Sequence, residues 1–255
     1  MRPLFWLLFL LPALAQGYEV GAYGLAGQAT LYLRLYGEVA GEGGRLRFSL
    51  APYLRPSLGE AGVSLEQLSL TWEGEAYALT LGRFPLTLGE GRLFPTTWNR
   101  PGPAGGEEGV WGGVLTGYGV VRARLGYAWG QGAFLELAWP DLRLWTFSGG
   151  GGLGATGRLG EAVVYGEATW EAGQGRGLLG LAQALWGGLL TLEVGYPWKA
   201  GLAWAWGGEG LAFQVLAGYR EGPFFALDLG VGGLSLGLGG LGGLLWWRAS
   251  WRGDL

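Results

Sequence analysis

The chain of 255 residues contains no cysteine, no histidine and no isoleucine, a single methionine, a single lysine (Lys199) and three aspartates (Asp141, Asp228 and Asp254). Without cysteine there is no disulfide scaffold and no thiol chemistry, and without histidine the usual general base and the commonest metal ligand are missing. Acid-base work would fall to glutamate or tyrosine, and no two glutamates stand in an arrangement that differs from a polar sheet face. Basic residues are in deficit, 17 against 20 acidic for a formal charge of -3. The positive excess that a phosphate backbone demands is absent, which excludes nucleic acid as a partner.

Motifs for bound groups are lacking too. The stretch GGGGLGATG at 149–157 has no Gly-Lys-Ser/Thr after it, so it reads as a turn with a flexible strand rather than a phosphate loop. The adjacent Glu107 and Glu108 supply too few oxygens for a hard cation. The expectation is no enzyme, no cofactor, no metal site and no catalytic residue.

What the chain has is glycine, 55 residues of it, together with 14% aromatic residues. That much aromatic and aliphatic surface sets it apart from disordered low-complexity chains, and no Gly-X-Y period is present. Residues 1–15, MRPLFWLLFLLPALA, carry a positive charge at Arg2, a short apolar run and a small-x-small ending. They read as a secretory signal peptide, since a membrane helix needs ~20 apolar residues.

From residue 28 onward the hydrophobic period is two. Gln28, Thr30, Tyr32, Arg34, Tyr36 and Glu38 alternate with Ala29, Leu31, Leu33, Leu35 and Gly37, one polar face against one apolar face of a strand. The pattern returns at 45–55 and at 161–171, where Leu46, Phe48, Leu50 and Leu54, and Val164, Ala168 and Trp170, form apolar rows. Such strands suit either a soluble sheet or a membrane barrel with its apolar face in lipid. Segments of roughly ten residues between short Gly-rich turns favour the barrel. So do tryptophans near segment ends (Trp72, Trp129, Trp139, Trp170, Trp186, Trp198), where interfacial girdles sit. The uncharged run at 229–247 holds eight glycines and reads as short strands with a Gly-rich turn, because each glycine costs a helix ~1 kcal/mol relative to alanine. The expected fold is all-β, a transmembrane antiparallel up-and-down barrel over 16–255, of about sixteen strands within a range of about fourteen to eighteen.

One connection breaks the pattern of short turns. After an alternating strand ending in Leu81-Gly82-Arg83, residues 85–109 contain prolines at 85, 95, 101 and 103, the turn Gly89-Glu90-Gly91, the run Arg92-Leu93-Phe94-Pro95 and a Gly-rich return. Long loops in compact domains tend to be functional, and prolines stiffen this one. The stretch resembles the constriction region of bacterial outer-membrane porins, particularly substrate-specific ones. That resemblance implies an inward-folded third loop narrowing the pore, with Glu90 and Arg92 near the narrowest point and Arg100 on the same loop. Arg83, Arg122 and Arg124 are expected on the wall behind, and Glu167 and Glu193 opposite. Arginines dominate the polar faces before residue 130 and carboxylates those after it, which predicts a basic wall facing an acidic one.

The function expected is passive diffusion of small hydrophilic solutes or ions across the cell outer membrane. Its partners are the lipid bilayer and those solutes, and a homo-oligomer is compatible with the pattern. The alternatives are a non-conducting structural or polymer-export barrel, and a secreted soluble β-protein.

Overall fold

The structure, a computed structural model, describes residues 14–254; the first thirteen residues of the expected signal peptide lie outside the described residues. Twenty-two strands follow one another in the order of the chain. Five lead to the long loop: β1 (Gly17–Leu25), β2 (Gln28–Gly41), β3 (Gly44–Arg55), β4 (Glu60–Glu73) and β5 (Tyr77–Phe84). Four two-residue strands lie within it, β6 (Thr87–Leu88), β7 (Thr96–Thr97), β8 (Arg100–Pro101) and β9 (Glu107–Glu108). Short strands follow, β10 (Val110–Gly117), β11 (Arg122–Ala128), β12 (Gly132–Ala138) and β13 (Leu142–Phe147). Next come β14 (Gly150–Leu159), β15 (Ala162–Glu171), β16 (Gln174–Leu185), β17 (Gly188–Tyr196) and β18 (Lys199–Gly208). The last four are β19 (Leu211–Arg220), β20 (Pro223–Val231), β21 (Leu234–Leu241) and β22 (Leu244–Asp254).

Eighteen of these form one antiparallel sheet, every strand paired with its neighbour in sequence across the loop or turn between them. The sheet closes on itself, with Gly17 opposite Asp254 and Leu25 opposite Trp246. Closure leaves no unpaired edge, the condition for a sheet to cross a bilayer. Eighteen strands is the upper end of the expected range.

Side-chain alternation puts one row of each strand outside. Val20, Leu31, Leu54, Leu125, Leu153, Leu179, Leu202, Leu227, Leu238 and Trp251 are large apolar residues exposed on that outer surface. A water-facing surface of this kind would be strongly disfavoured, whereas lipid takes it without cost, so the barrel is transmembrane. Trp170 and Ala168 face outward and exposed as the period demanded; Phe48 and Leu50 stand on the outer row but are covered by Ala15, Leu35, Leu65 and Leu68. Trp129, Trp170 and Trp198 lie at the barrel end where the long loop leaves; Trp72, Trp139 and Trp186 lie at the other end, with the chain termini. Two girdles result.

Turns of two to four residues join the barrel strands everywhere except at 85–109. The run at 229–247 spans the end of β20, all of β21 and the start of β22, two turns rather than one. The glycines at 150, 152 and 154 form the start of β14, and the turn lies just before them. There Trp145 of β13 packs over Gly152 and the Glu90 side chain of the loop over Gly154, so side chains larger than hydrogen would fill space that these two occupy.

Candidate functional site

Just before the loop leaves β5, Gly82 adopts a φ of 115°, a conformation open to glycine. A Cβ at this position would also collide with the Leu68 carbonyl. Arg83, next in the strand, reaches across the neck of the loop. Its Nε donates to the Gly109 carbonyl at 2.9 Å and its Nη2 meets Glu108 Oε2 at 2.6 Å. The guanidinium ties the two ends of the loop together and to the Leu65 carbonyl of β4.

The descending leg is apolar. Phe84, Leu86 and Leu88 pack with Val110, Val114, Ala128, Phe134 and Trp145, and Leu86 and Leu88 are almost completely buried. Trp98 stands edge-on to Phe134 at 5.8 Å and to Phe147 at 5.5 Å. The inner face of β10–β13 is thus covered by a second layer. The two-residue ladder of β6 and β7 pairs Thr87 with Thr97 and Leu88 with Thr96, and the Asn99 side chain accepts the Leu86 N–H at 2.8 Å.

At the tip the backbone reverses at Gly89, with φ at 85° and no room for a Cβ beside the Glu167 carboxylate. Glu167 Oε2 accepts the N–H groups of Glu90 at 2.6 Å and Gly91 at 3.2 Å, while Oε1 accepts the Thr96 hydroxyl at 3.1 Å. Two strands further round, Glu193 Oε1 accepts the Arg92 N–H and the Tyr165 hydroxyl, and Oε2 accepts the Phe94 N–H at 2.9 Å. Successive backbone N–H groups converging on an anion form a nest; here the anions are wall side chains and the nest is the loop. Phe94 then buries its ring among Tyr165, Leu178 and Ala182, and reaches Phe224 of β20 edge-on at 6.0 Å. The Glu90 side chain pairs with Arg143 at 3.2 Å and accepts from Thr156, and Arg143 also donates to the Gly89 carbonyl at 2.8 Å.

The returning leg crosses to β1–β4. Tyr23 and Arg55 donate to the Pro103 carbonyl at 2.9 and 3.2 Å, and Arg34 to the Ala104 carbonyl at 3.3 Å. Ala104 sits buried against Tyr32 and Ala51. Arg34 itself makes a bidentate pair with Glu66, at 2.7 and 2.9 Å, and a further bond to Glu19 at 2.7 Å. Glu66 occupies the bulge where Ser49 faces Gln67 and Leu50 faces Leu65; the extra residue turns its carboxylate into the lumen toward Arg34.

The structure brings together most of the residues singled out in the sequence, in different relations from those expected. Arg122 and Arg124 pair with the buried Glu136, at 3.5 and 2.9 Å. Arg92 lays its guanidinium 4.7 Å from the centre of the Tyr165 ring, with its side chain exposed to the lumen. Arg100 is exposed on the returning leg. The expected basic wall facing an acidic wall needs correction. Arg34, Arg45, Arg47 and Arg55 are neutralised by Glu19, Glu66, Glu38, Glu73 and Glu60 of the same half of the barrel. Glu167 and Glu193, 9% and 1% exposed, turn their oxygens to loop amides rather than to the open lumen. Tyr165, Arg143, Glu136, Arg34 and Glu66, not singled out as site residues from sequence, complete the constellation.

The loop's bonds and apolar contacts thus fall on β1–β4 and β10–β18 and touch β20 through Phe94. Lumen-facing Gln214, Arg248 and Arg252 on β19 and β22 are exposed, with Arg248 paired to Asp228 of β20 at 2.8 Å. The uncovered part of the cross-section therefore runs along β19–β22.

No family model and no curated protein matches the chain. Solved structures do. Two engineered variants of the porin from Rhodopseudomonas blastica align over 94% of this chain and 99% of their own, with TM-scores of 0.51 and 0.52 and identities of 9% and 10%. A third variant of that porin superposes equally well over the same extents, at a TM-score of 0.51. At such identities the likeness is one of fold, a closed barrel of similar length.

Proposed function

We propose that the protein is an outer-membrane channel through which small hydrophilic solutes or ions diffuse passively, with 85–109 as its fixed constriction. The observation that carries this reading is a loop folded through the lumen of a lipid-facing barrel and anchored by backbone bonds on two opposite walls, while β19–β22 are left open. Polar groups line that opening, and a polar passage of restricted width selects by size and charge. The fold shared with the Rh. blastica porin variants supports the same reading, as does the pair of tryptophan girdles. On this reading the residues near the narrowest point are Glu90, Arg92 and Arg100, with Arg83, Arg122, Arg124, Glu167 and Glu193 holding the loop and wall around them. A leader over 1–15 that directs export belongs to the same proposal.

Planar-bilayer recording of the refolded protein tests it. Discrete conductance steps are expected, and deletion of 88–106 should enlarge them while the barrel still folds. A correctly folded barrel that stays silent both with and without the loop removes the channel reading and leaves a structural barrel.

A further inference from the structure

A cavity of about 700 Å³ opens at the loop end of the barrel, between the loop tip and the wall from β15 to β19. One side is aromatic: Phe94 and Trp98 from the loop, Phe147 from β13 and Trp198 from a turn. The polar side carries Thr169, Lys199 and Arg220, and it meets the aromatic one where the Lys199 ammonium lies 5.2 Å from the centre of the Phe94 ring.

Two features of that polar side leave binding capacity unused. Lys199 and Arg220 lie directly opposite each other in the antiparallel register of β18 and β19, and like charges in that relation repel. Among the described residues neither has a carboxylate within salt-bridge distance, although fourteen such contacts occur elsewhere. The carboxylates of the same cavity are engaged: Glu167 with the loop amides and Thr96, Glu171 with Arg176 at 3.3 Å. Glu167 keeps its negative charge while its oxygens are taken by the loop, and Glu221 stands at the rim. The second feature is the Thr169 hydroxyl, buried and without a hydrogen-bond partner. It lies three strands from Lys199, about 14 Å at ordinary interstrand spacing.

We propose that this vestibule is a binding site for small organic anions: an oxyanion head on Lys199 and Arg220, and an apolar body lying along Phe94 toward Trp98 and Phe147. Thr169 is the donor for a polar group at the far end of a longer solute. An inorganic anion would satisfy the cations but leave the aromatic half wet, and a neutral aromatic would leave the cations unmatched. The two halves together fit a solute with both parts. The inference deepens the channel reading, since it names the class of solute that pauses on the way in.

Isothermal titration calorimetry on the full barrel in detergent micelles tests it without any need for conduction, with phenylpropanoate as the probe and phenylpropanamide as its neutral counterpart. Saturable binding of the anion is expected, with the amide at least about tenfold weaker, the worth of one charge-assisted hydrogen bond. Lys199→Gln and Arg220→Gln should each weaken the anion by about tenfold as well. Arg158→Gln, exposed on β14 at the barrel end away from the vestibule, should leave it unchanged. Phenyl phosphate in a parallel titration separates a carboxylate preference from a general oxyanion one. Equal binding of acid and amide, or an Arg158→Gln effect as large as the other two, overturns the proposal. Should either vestibule variant fail to fold, the acid-amide comparison on the unaltered protein decides alone. A barrel that conducts but binds neither compound overturns the site and keeps the channel; one that binds the acid yet never conducts supports the site and removes the channel.

Discussion

The loop is held at two places by opposite chemistry. At its tip the wall supplies acceptors, the carboxylates of Glu167 and Glu193, and the loop supplies backbone N–H groups. On its return the wall supplies donors, Tyr23, Arg34 and Arg55, and the loop supplies the carbonyls of Pro103 and Ala104. Buried backbone groups in an irregular segment must find partners, and here side chains of the barrel provide them. In both places the loop contributes chiefly main chain, with Thr96 and Glu90 adding side-chain bonds at the tip, so its side chains at Arg92 and Arg100 are left to face the passage. Shape and charge are thereby set by different atoms.

The two anchors should differ in strength. Arg34 is the counter-charge shared by Glu19 and Glu66, which are mostly buried, and only Glu19 has a second one, Arg252 at 3.3 Å. Removing one partner of a buried ion pair is more costly than losing a neutral bond. Arg34→Ala should therefore lower stability by about 3 kcal/mol, read as a shift in the urea midpoint of refolding into micelles. An unchanged midpoint would mean that water in the lumen solvates the two carboxylates and that the returning leg is only lightly held.

Glu193→Ala comes next, because it strands three donors at once: the amides of Arg92 and Phe94 and the Tyr165 hydroxyl. About 2 kcal/mol is expected, and its signature is local. Amide exchange should accelerate at residues 92 and 94 and single-channel current should become larger or noisier, with the barrel midpoint barely moved. Exchange rising equally throughout the barrel would show that this carboxylate supports the wall rather than the loop.

The barrel was legible in the sequence because period-two alternation is local: Thr30, Tyr32 and Arg34 against Leu31 and Leu33 announce one strand without reference to any other. The count was harder. Residues 110–159 hold five strands in fifty residues, about ten per strand and turn, and spacing taken from longer neighbours undercounts them. Inward folding of 85–109 was inferable from its length, its prolines and its resemblance to porin constrictions. The anchors were not. Glu167 and Glu193 bond residues 76 and 101 positions away, and a glutamate that receives backbone amides has the same sequence neighbourhood as one that faces water. Charge bookkeeping by halves failed for a related reason: it passed over the glutamates of the first half, and Arg34 and Glu66, 32 residues apart, pair within that half.

The smallest effect on stability, and the sharpest test of the split between shape and charge, is expected at Arg92. Its amide bonds Glu193 and its guanidinium lies exposed over Tyr165, so two substitutions separate the two roles. Arg92→Gln keeps the amide and removes the charge. The loop should stay in place, thermal unfolding should change by no more than about 0.5 kcal/mol, and the zero-current potential in a salt gradient should move toward cation preference. The shift should shrink at high salt, where charges more than ~3 Å away are screened at about 1 M. Arg92→Pro removes the N–H as well; it should reproduce that shift and add the exchange and conductance changes expected of Glu193→Ala. If Arg92→Gln alone loosens the tip, the cation over Tyr165 is an anchor in its own right. If neither substitution moves the zero-current potential, the passage runs far enough from residue 92 for its charge to be screened.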